Sequence, residues 1–150
     1  MGSSDNSPSL HRLVAGGNVT AFHREFEARG DTSASVEDPE RNQPLHVAAE
    51  RGHVVMVELL LRYRARISAT DDRGWQPMHL AAAEGHLEVM KALLAVRASL
   101  EAKDEEGEKP MFKAAFQGHL NAMQFLSSRR AGVTAQQKTG QQPLHGSALH

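Results

Sequence analysis

The chain has no cysteine, which excludes disulfides, thiolate metal sites and cysteine nucleophiles and fits a reducing compartment. It also lacks a charge surplus. Lys and Arg number 17 against 18 Asp and Glu, a formal net charge of −1, so nothing in the bulk electrostatics draws it to nucleic acid or an anionic membrane. No apolar run approaches the roughly 20 residues that a bilayer-spanning helix needs. The opening MGSSDNSPS has no apolar stretch of the signal-peptide kind, and Asn6 stands where an N-myristoylation motif wants Ser or Thr. H-E-x-x-H, G-x-S-x-G and the phosphate-cradling P-loop are all missing, so metalloprotease, serine-hydrolase and nucleotide-hydrolysing chemistry lack their signatures.

What the chain does have is a period. Gln76–His86 reads QPMHLAAAEGH, Gln43–His53 reads QPLHVAAERGH, and Lys109–His119 reads KPMFKAAFQGH. The word starts again at the end of the chain as QQPLHGSALH, and Pro44, Pro77, Pro110 and Pro143 stand 33 residues apart. A strict period in this range predicts stacked helical units, each too small to bury its own apolar face.

Each copy follows one physical grammar. Proline opens a first helix, where its missing N–H costs nothing and its fixed φ suits the first turn. The pairs Ala48-Ala49, Ala81-Ala82 and Ala114-Ala115 let neighbouring helices approach closely, and Gly52, Gly85 and Gly118 end that helix. A second helix follows as VVMVELLLRY, LEVMKALLAV or LNAMQFLSSR; Val57, Leu60 and Leu61 recur as Met90, Leu93 and Leu94, a core face at helical spacing. Ser127 replaces the leucine in the last copy. Asp71–Gly74 and Asp104–Gly107 read as tight turns. Upstream, Leu10 to Gly30 is a worn copy whose Leu10, Leu13, Val14, Val19, Phe22 and Phe26 fit two short helices broken at Gly16-Gly17.

The period and the words PLHVAA and PMHLAA resemble the ankyrin repeat, T-P-L-H-x-A-A-x-x-G-H, over roughly residues 10–150. The resemblance implies an all-α ankyrin-repeat solenoid of helix-turn-helix units joined by β-turn or hairpin fingers. Residues 1–9 then form a disordered leader and 10–40 a divergent N-terminal capping repeat. Full repeats follow at 41–73, 74–106 and 107–139, and 140–150 begin a truncated further repeat. An outer face on the last full repeat is left to be covered, by more repeats of a longer array, by a partner, or by a second copy. The chain departs from the family pattern in three places. Gln43, Gln76, Lys109 and Gln142 replace the threonine before proline; Arg64, Arg97 and Arg130 stand at the helix-end glycine; and Ser68, Glu101 and Thr134 replace the asparagine that asparaginyl hydroxylases modify, so that modification is not expected.

The family places partner contacts on the concave side, on turn tips and first helices. Carried onto this chain, that surface is Glu50, Arg51, Thr70, Asp72, Arg73, Trp75, Ala83, Glu84, Lys103, Glu105, Glu106, Glu108, Phe116 and Gln117, positions that vary between the copies. Trp75 is open to two readings, packing along the turn stem or anchoring a partner. Phe116, aligned with Glu50 and Ala83, is expected to face the groove, with core use the other reading because Phe112 also replaces the usual histidine.

Other chemistry has plainer explanations. Eight of the nine histidines follow the repeat, which makes a spaced row and not a tetrahedral metal cluster. Asp104, Glu105, Glu106 and Glu108 lack EF-hand spacing and read as a solvated acidic tip. Arg62, Arg64 and Arg66, echoed by Arg129 and Arg130, read as solvated helix ends. The role the resemblance implies is a non-catalytic adaptor or scaffold, cytoplasmic or nuclear, with a protein partner and with no cofactor, metal, nucleic acid, membrane insertion or small-molecule substrate. The rival role is a regulatory or targeting module of a longer enzyme.

Overall fold

Eight α-helices follow one another through the described residues, 10–29 and 43–138 of the computed structural model, with no strand among them. They are α1 (Leu10–Ala15), α2 (Val19–Arg29), α3 (Pro44–Arg51), α4 (Val54–Arg62), α5 (Pro77–Ala83), α6 (Leu87–Ala95), α7 (Pro110–Phe116) and α8 (Leu120–Lys138). The odd-numbered helices stack side by side as an inner row, α1 on α3, α3 on α5 and α5 on α7, while α4, α6 and α8 stack behind them. Helix α2 pairs with α1, and its Phe26 stacks on Tyr63 at 4.3 Å, just past α4. The leader at 1–9, the connection at 31–42, and the final segment with Pro143 and His145 lie outside the described residues.

The inner helices begin with the predicted proline, but a histidine does more of the local work than the proline. His46 Nδ1 accepts the Gln43 backbone N–H at 3.0 Å, which caps α3 and places the ring proton on Nε2. Nε2 then donates to the carbonyls of Ala69 and Trp75, both at 3.0 Å, in the turn that follows. His79 repeats the device, with Gln76 N–H on Nδ1 at 3.0 Å and the Glu108 carbonyl on Nε2 at 3.1 Å. Both rings are buried, so each satisfied nitrogen removes an otherwise costly unpaired polar group.

A second set of histidines binds each unit to the one before it. His53 Nε2 donates to the Ala15 carbonyl at 3.0 Å, and His86 Nε2 to the Glu50 carbonyl at 2.9 Å. The His86 ring lies flat against Gly52, where an added Cβ would stand 2.7 Å from it; His119 lies the same way on Gly85. These two glycines also have φ of +74° and +72°, so the position needs glycine both for its backbone and for the ring beside it.

The core runs the length of the stack through Leu45, Ala48, Ala49, Met56, Val57, Leu60, Met78, Ala81, Ala82, Val89, Met90 and Leu93. Met56 and Val89 are fully buried, whereas Leu61 and Leu94 are only partly so. The buried face of the outer helices is thus centred roughly 50° from the one expected at Val57, Leu60 and Leu61: Val57, Leu60, Met90 and Leu93 stay buried, while Met56 and Val89 take the places of Leu61 and Leu94. Each fully buried side chain of this size contributes about 1.5–3 kcal/mol.

Just past the caps Tyr63 and Val96 of the outer helices α4 and α6 stand arginines in the left-handed conformation, Arg64 at φ 65° and Arg97 at φ 71°, the non-glycine residues of positive φ among those described. The third member of this set behaves differently: α8 runs on through residue 130 to Lys138, so no helix end forms at Arg130.

The turns project as two fingers. In the first, Asp71 Oδ1 accepts the N–H groups of Arg73 and Trp75, each at 2.9 Å, and its Oδ2 pairs with the Arg73 guanidinium at 2.8 Å. In the second, Asp104 Oδ1 accepts the N–H groups of Glu106 and Glu108 at 2.9 and 2.8 Å. The Glu105 N–H donates to the Arg73 carbonyl at 3.2 Å and links the two fingers.

Candidate functional site

Where the second finger leans over α5 and α7, it leaves a groove of about 300 Å³. Trp75, Ala83, Glu106, Glu108, Phe112, Lys113, Phe116 and Gln117 line it. Six of these are residues expected at the partner surface, and two, Phe112 and Lys113, are not.

Phe112 and Phe116 lie one helical turn apart on α7, with ring centroids 6.2 Å apart. Phe116 is 76% exposed and Phe112 is 47% exposed. The core-use reading of Phe116 is therefore excluded, and its ring stands open at the groove. Ala83, at the equivalent position of α5, is buried and serves as wall rather than as an exposed contact.

Trp75 is half-buried and clasped from two sides. The Arg73 guanidinium carbon lies 3.9 Å from its ring centroid and the Lys113 ammonium 4.5 Å from it, while the His79 ring is 6.3 Å away. A ring held by two cations is fixed in orientation. This supports the turn-stem packing reading and leaves the rest of the ring as one wall of the groove.

Lys113 is the centre of the electrostatics. Its ammonium is buried, 2.7 Å from Asp104 Oδ2 and 2.5 Å from Glu108 Oε1. Burial works against the charged forms of both Asp104 and Lys113. Their mutual hydrogen bond, aided at Asp104 by the turn N–H groups and at Lys113 by Glu108, overcomes it; the Asp104 carboxyl is held below its ordinary range and the Lys113 amine above its own. Asp71 is likewise held low: burial opposes its charge, and Arg73 with two backbone N–H groups prevails. His79 is pushed below its ordinary value, chiefly by burial.

These distances correct the reading of Asp104 as part of a solvated acidic tip. Oxygens of Asp104, Glu106 and Glu108 lie within 4.8 Å of one another, but Asp104 is buried and the Lys113 ammonium already answers it and Glu108. Glu105 and Glu106 are exposed, as expected of a tip. Nothing in the repeat words pointed to Lys113 except its oddity: it stands at the position of Val47 and Leu80, where an apolar residue is the rule.

The other expected contacts are spread along the same side of the stack. Glu84 is exposed directly after Ala83, Lys103 and Glu105 are exposed on the second finger, and Asp72 and Arg73 are exposed on the first. Thr70 is half-buried at the base of that finger, and Glu50 and Arg51 are exposed at the end of α3, one repeat away. Arg62, Arg64 and Arg66 are exposed and line no part of the groove.

The groove's one amine, Lys113, is locked in ion pairs that keep it protonated, which removes it as a nucleophile or base. No helix among the described residues is long and apolar enough to cross a membrane. A protein-family model described as ankyrin repeats (3 copies) matches residues 6–104. The match ends at the start of the second finger, and the same helix-turn-helix geometry continues beyond it in α7 and α8.

Proposed function

As this chain belongs to the ankyrin-repeat family, whose repeats are in general protein-interaction modules, we propose that it is a non-catalytic adaptor that grips a protein partner through its fingers and inner helices. One observation carries the reading: Phe116 presents 76% of its surface to solvent beside the half-exposed Phe112, in a groove whose other walls include the clasped Trp75 ring, the buried Ala83 and the ion-paired Lys113. Solvent-exposed aromatic area gathered in a concave, preorganised setting is what a binding hot spot requires. We place the partner surface on the positions named above, from Glu50 and Arg51 through the two fingers to Phe116 and Gln117, with the groove as its centre. The absence of cysteine supports an intracellular setting.

The test is a cross-linked pull-down read by mass spectrometry with the parent chain, Phe116→Ala and Lys91→Ala. Lys91 is exposed on the outer helix α6. A partner that is retained by Lys91→Ala and lost by Phe116→Ala supports the reading. The reverse pattern, with both proteins folded, places the contact on the outer helices and defeats it.

A further inference from the structure

The charges around the groove are unequal. The second finger carries four carboxylates, Asp104, Glu105, Glu106 and Glu108, and Lys113 pairs with the first and last of them. Glu105 and Glu106 are exposed and have no cation within pairing distance among the described residues, and Glu106 lines the groove; Glu84, exposed directly after the groove-lining Ala83, is in the same condition. Arg73, on the first finger, is already committed to Asp71 and to the Trp75 ring. Of the exposed charges near the groove residues in sequence, Lys103, Glu105 and Glu84 do not line the groove, one cation against two carboxylates. The mouth is thus negative while the walls contributed by Phe112, Phe116 and Ala83 are apolar.

A neutral apolar ligand would leave those carboxylates unanswered, and an acidic one would be repelled by them. We propose that the groove takes a basic peptide segment of the partner: one large apolar side chain seated against Phe112 and Phe116, with Lys or Arg beside it meeting Glu105, Glu106 and Glu84. The proposal rests on the adaptor reading and adds the chemistry of what is gripped. The apolar anchor sets how long the complex lasts, because leaving returns its buried apolar surface to water, which costs free energy. The carboxylates act mainly on how fast it forms. Lys113 is a positioning residue here, since it holds the second finger over the groove and spends its own charge inside the protein.

A phage-displayed library of random short peptides, panned on the full chain, tests this directly. The selected peptides are then made with a fluorescein label and titrated by fluorescence anisotropy against the parent, Phe116→Ala, Gln117→Trp, and the double variant Glu105→Lys with Glu106→Lys, each checked for helical circular dichroism. The expected winners carry Leu, Met or Phe with adjacent Lys or Arg. Their affinity falls at least about tenfold with Phe116→Ala, as for loss of a hot-spot ring. Gln117→Trp, a bulky block at an exposed edge, has the same effect and stands in should Phe116→Ala lose its fold. The double charge reversal weakens binding in low salt and less so in high salt. Acidic or uncharged winners that still need Phe116 overturn the basic-peptide assignment and leave the adaptor groove standing. Winners indifferent to Phe116→Ala and Gln117→Trp overturn both, and so does a library that yields no winner.

Discussion

Lys113 in α7 stands where Leu80 stands in α5, and its ammonium closes on Asp104 at 2.7 Å. One repeat earlier the equivalent aspartate, Asp71, is answered from within its own finger by Arg73, two residues on. In the second finger that position is Glu106, so the cation has to come from elsewhere, and it comes from the helix beneath. A single charge has moved from finger to helix, and the position it left has become the acidic lip of the groove.

That exchange predicts a rescue. Lys113→Leu leaves Asp104 buried with only backbone partners, and should cost about 3 kcal/mol, the usual penalty for removing one member of a buried pair. Adding Glu106→Arg rebuilds the Asp71–Arg73 arrangement and should recover a large part of the loss. Urea unfolding of the parent, the single variants and the double variant measures the coupling. A neutral Lys113→Leu, or a double variant no better than the single, would show that the pair does not anchor the finger.

Arg64 and Arg97 hold left-handed backbone at φ 65° and 71° with exposed side chains. Glycine relieves that strain, so Arg64→Gly and Arg97→Gly should each raise stability by up to about 1 kcal/mol. The two sites belong to different repeats, so the gains should nearly add. Lower melting temperatures in both variants would mean that these arginines make contacts worth more than the strain.

Acid should unfold the protein in two stages. His79 is held below its ordinary value of about 6.5 by burial, so the unfolded chain takes up a proton the folded one resists. Its contribution is complete above that value and fades as pH falls toward the folded pKa. Asp71 and Asp104, also depressed, contribute above about pH 4, the ordinary carboxyl range, and lose their part only below it. Melting temperatures between pH 7.5 and 3 should show a first decline below 6.5 that is shallower in His79→Gln. Parallel curves for the two proteins across pH 6.5 to 5 would remove His79 from the account.

The helices were legible because the repeat states its rules three times over. Proline, paired alanines, glycine and histidine recur in register, and each is tied to a backbone event that the structure contains, from the capped start at Gln43 to the left-handed turn at Gly52. The left-handed arginines were legible for the same reason, as departures from a known glycine. The groove was half legible. Trp75, Phe116 and the finger carboxylates stood out as positions the stack does not use. Lys113 did not, because its role depends on its helix lying beneath the finger that carries Asp104, and a period along the chain carries no information about that pairing. The extension of α8 past Arg130 was hidden too: arginine does not oblige a helix to stop, and nothing in SSRRAGVT forbids it to continue.

Trp75 and Phe116 wall the same groove but should separate cleanly in stability. The Trp75 ring is half-buried, clasped by Arg73 at 3.9 Å and Lys113 at 4.5 Å, and sits at the joint between the first finger and α5. Removing it takes away two cation–π contacts, each worth about 0.5–1 kcal/mol or more where desolvated, and the buried part of a large ring. Trp75→Ala should therefore cost about 2 kcal/mol. Phe116 has 76% of its surface in water, and Phe116→Ala should change stability by no more than about 0.5 kcal/mol. Because Trp75 is the single tryptophan, its fluorescence also reports on the groove: a peptide entering it should shift the emission of the parent, and of Phe116→Ala only at higher peptide concentration. Equal destabilisation by the two substitutions would make Phe116 a structural ring after all, and with it the groove would lose the exposed aromatic wall on which the proposed partner recognition rests.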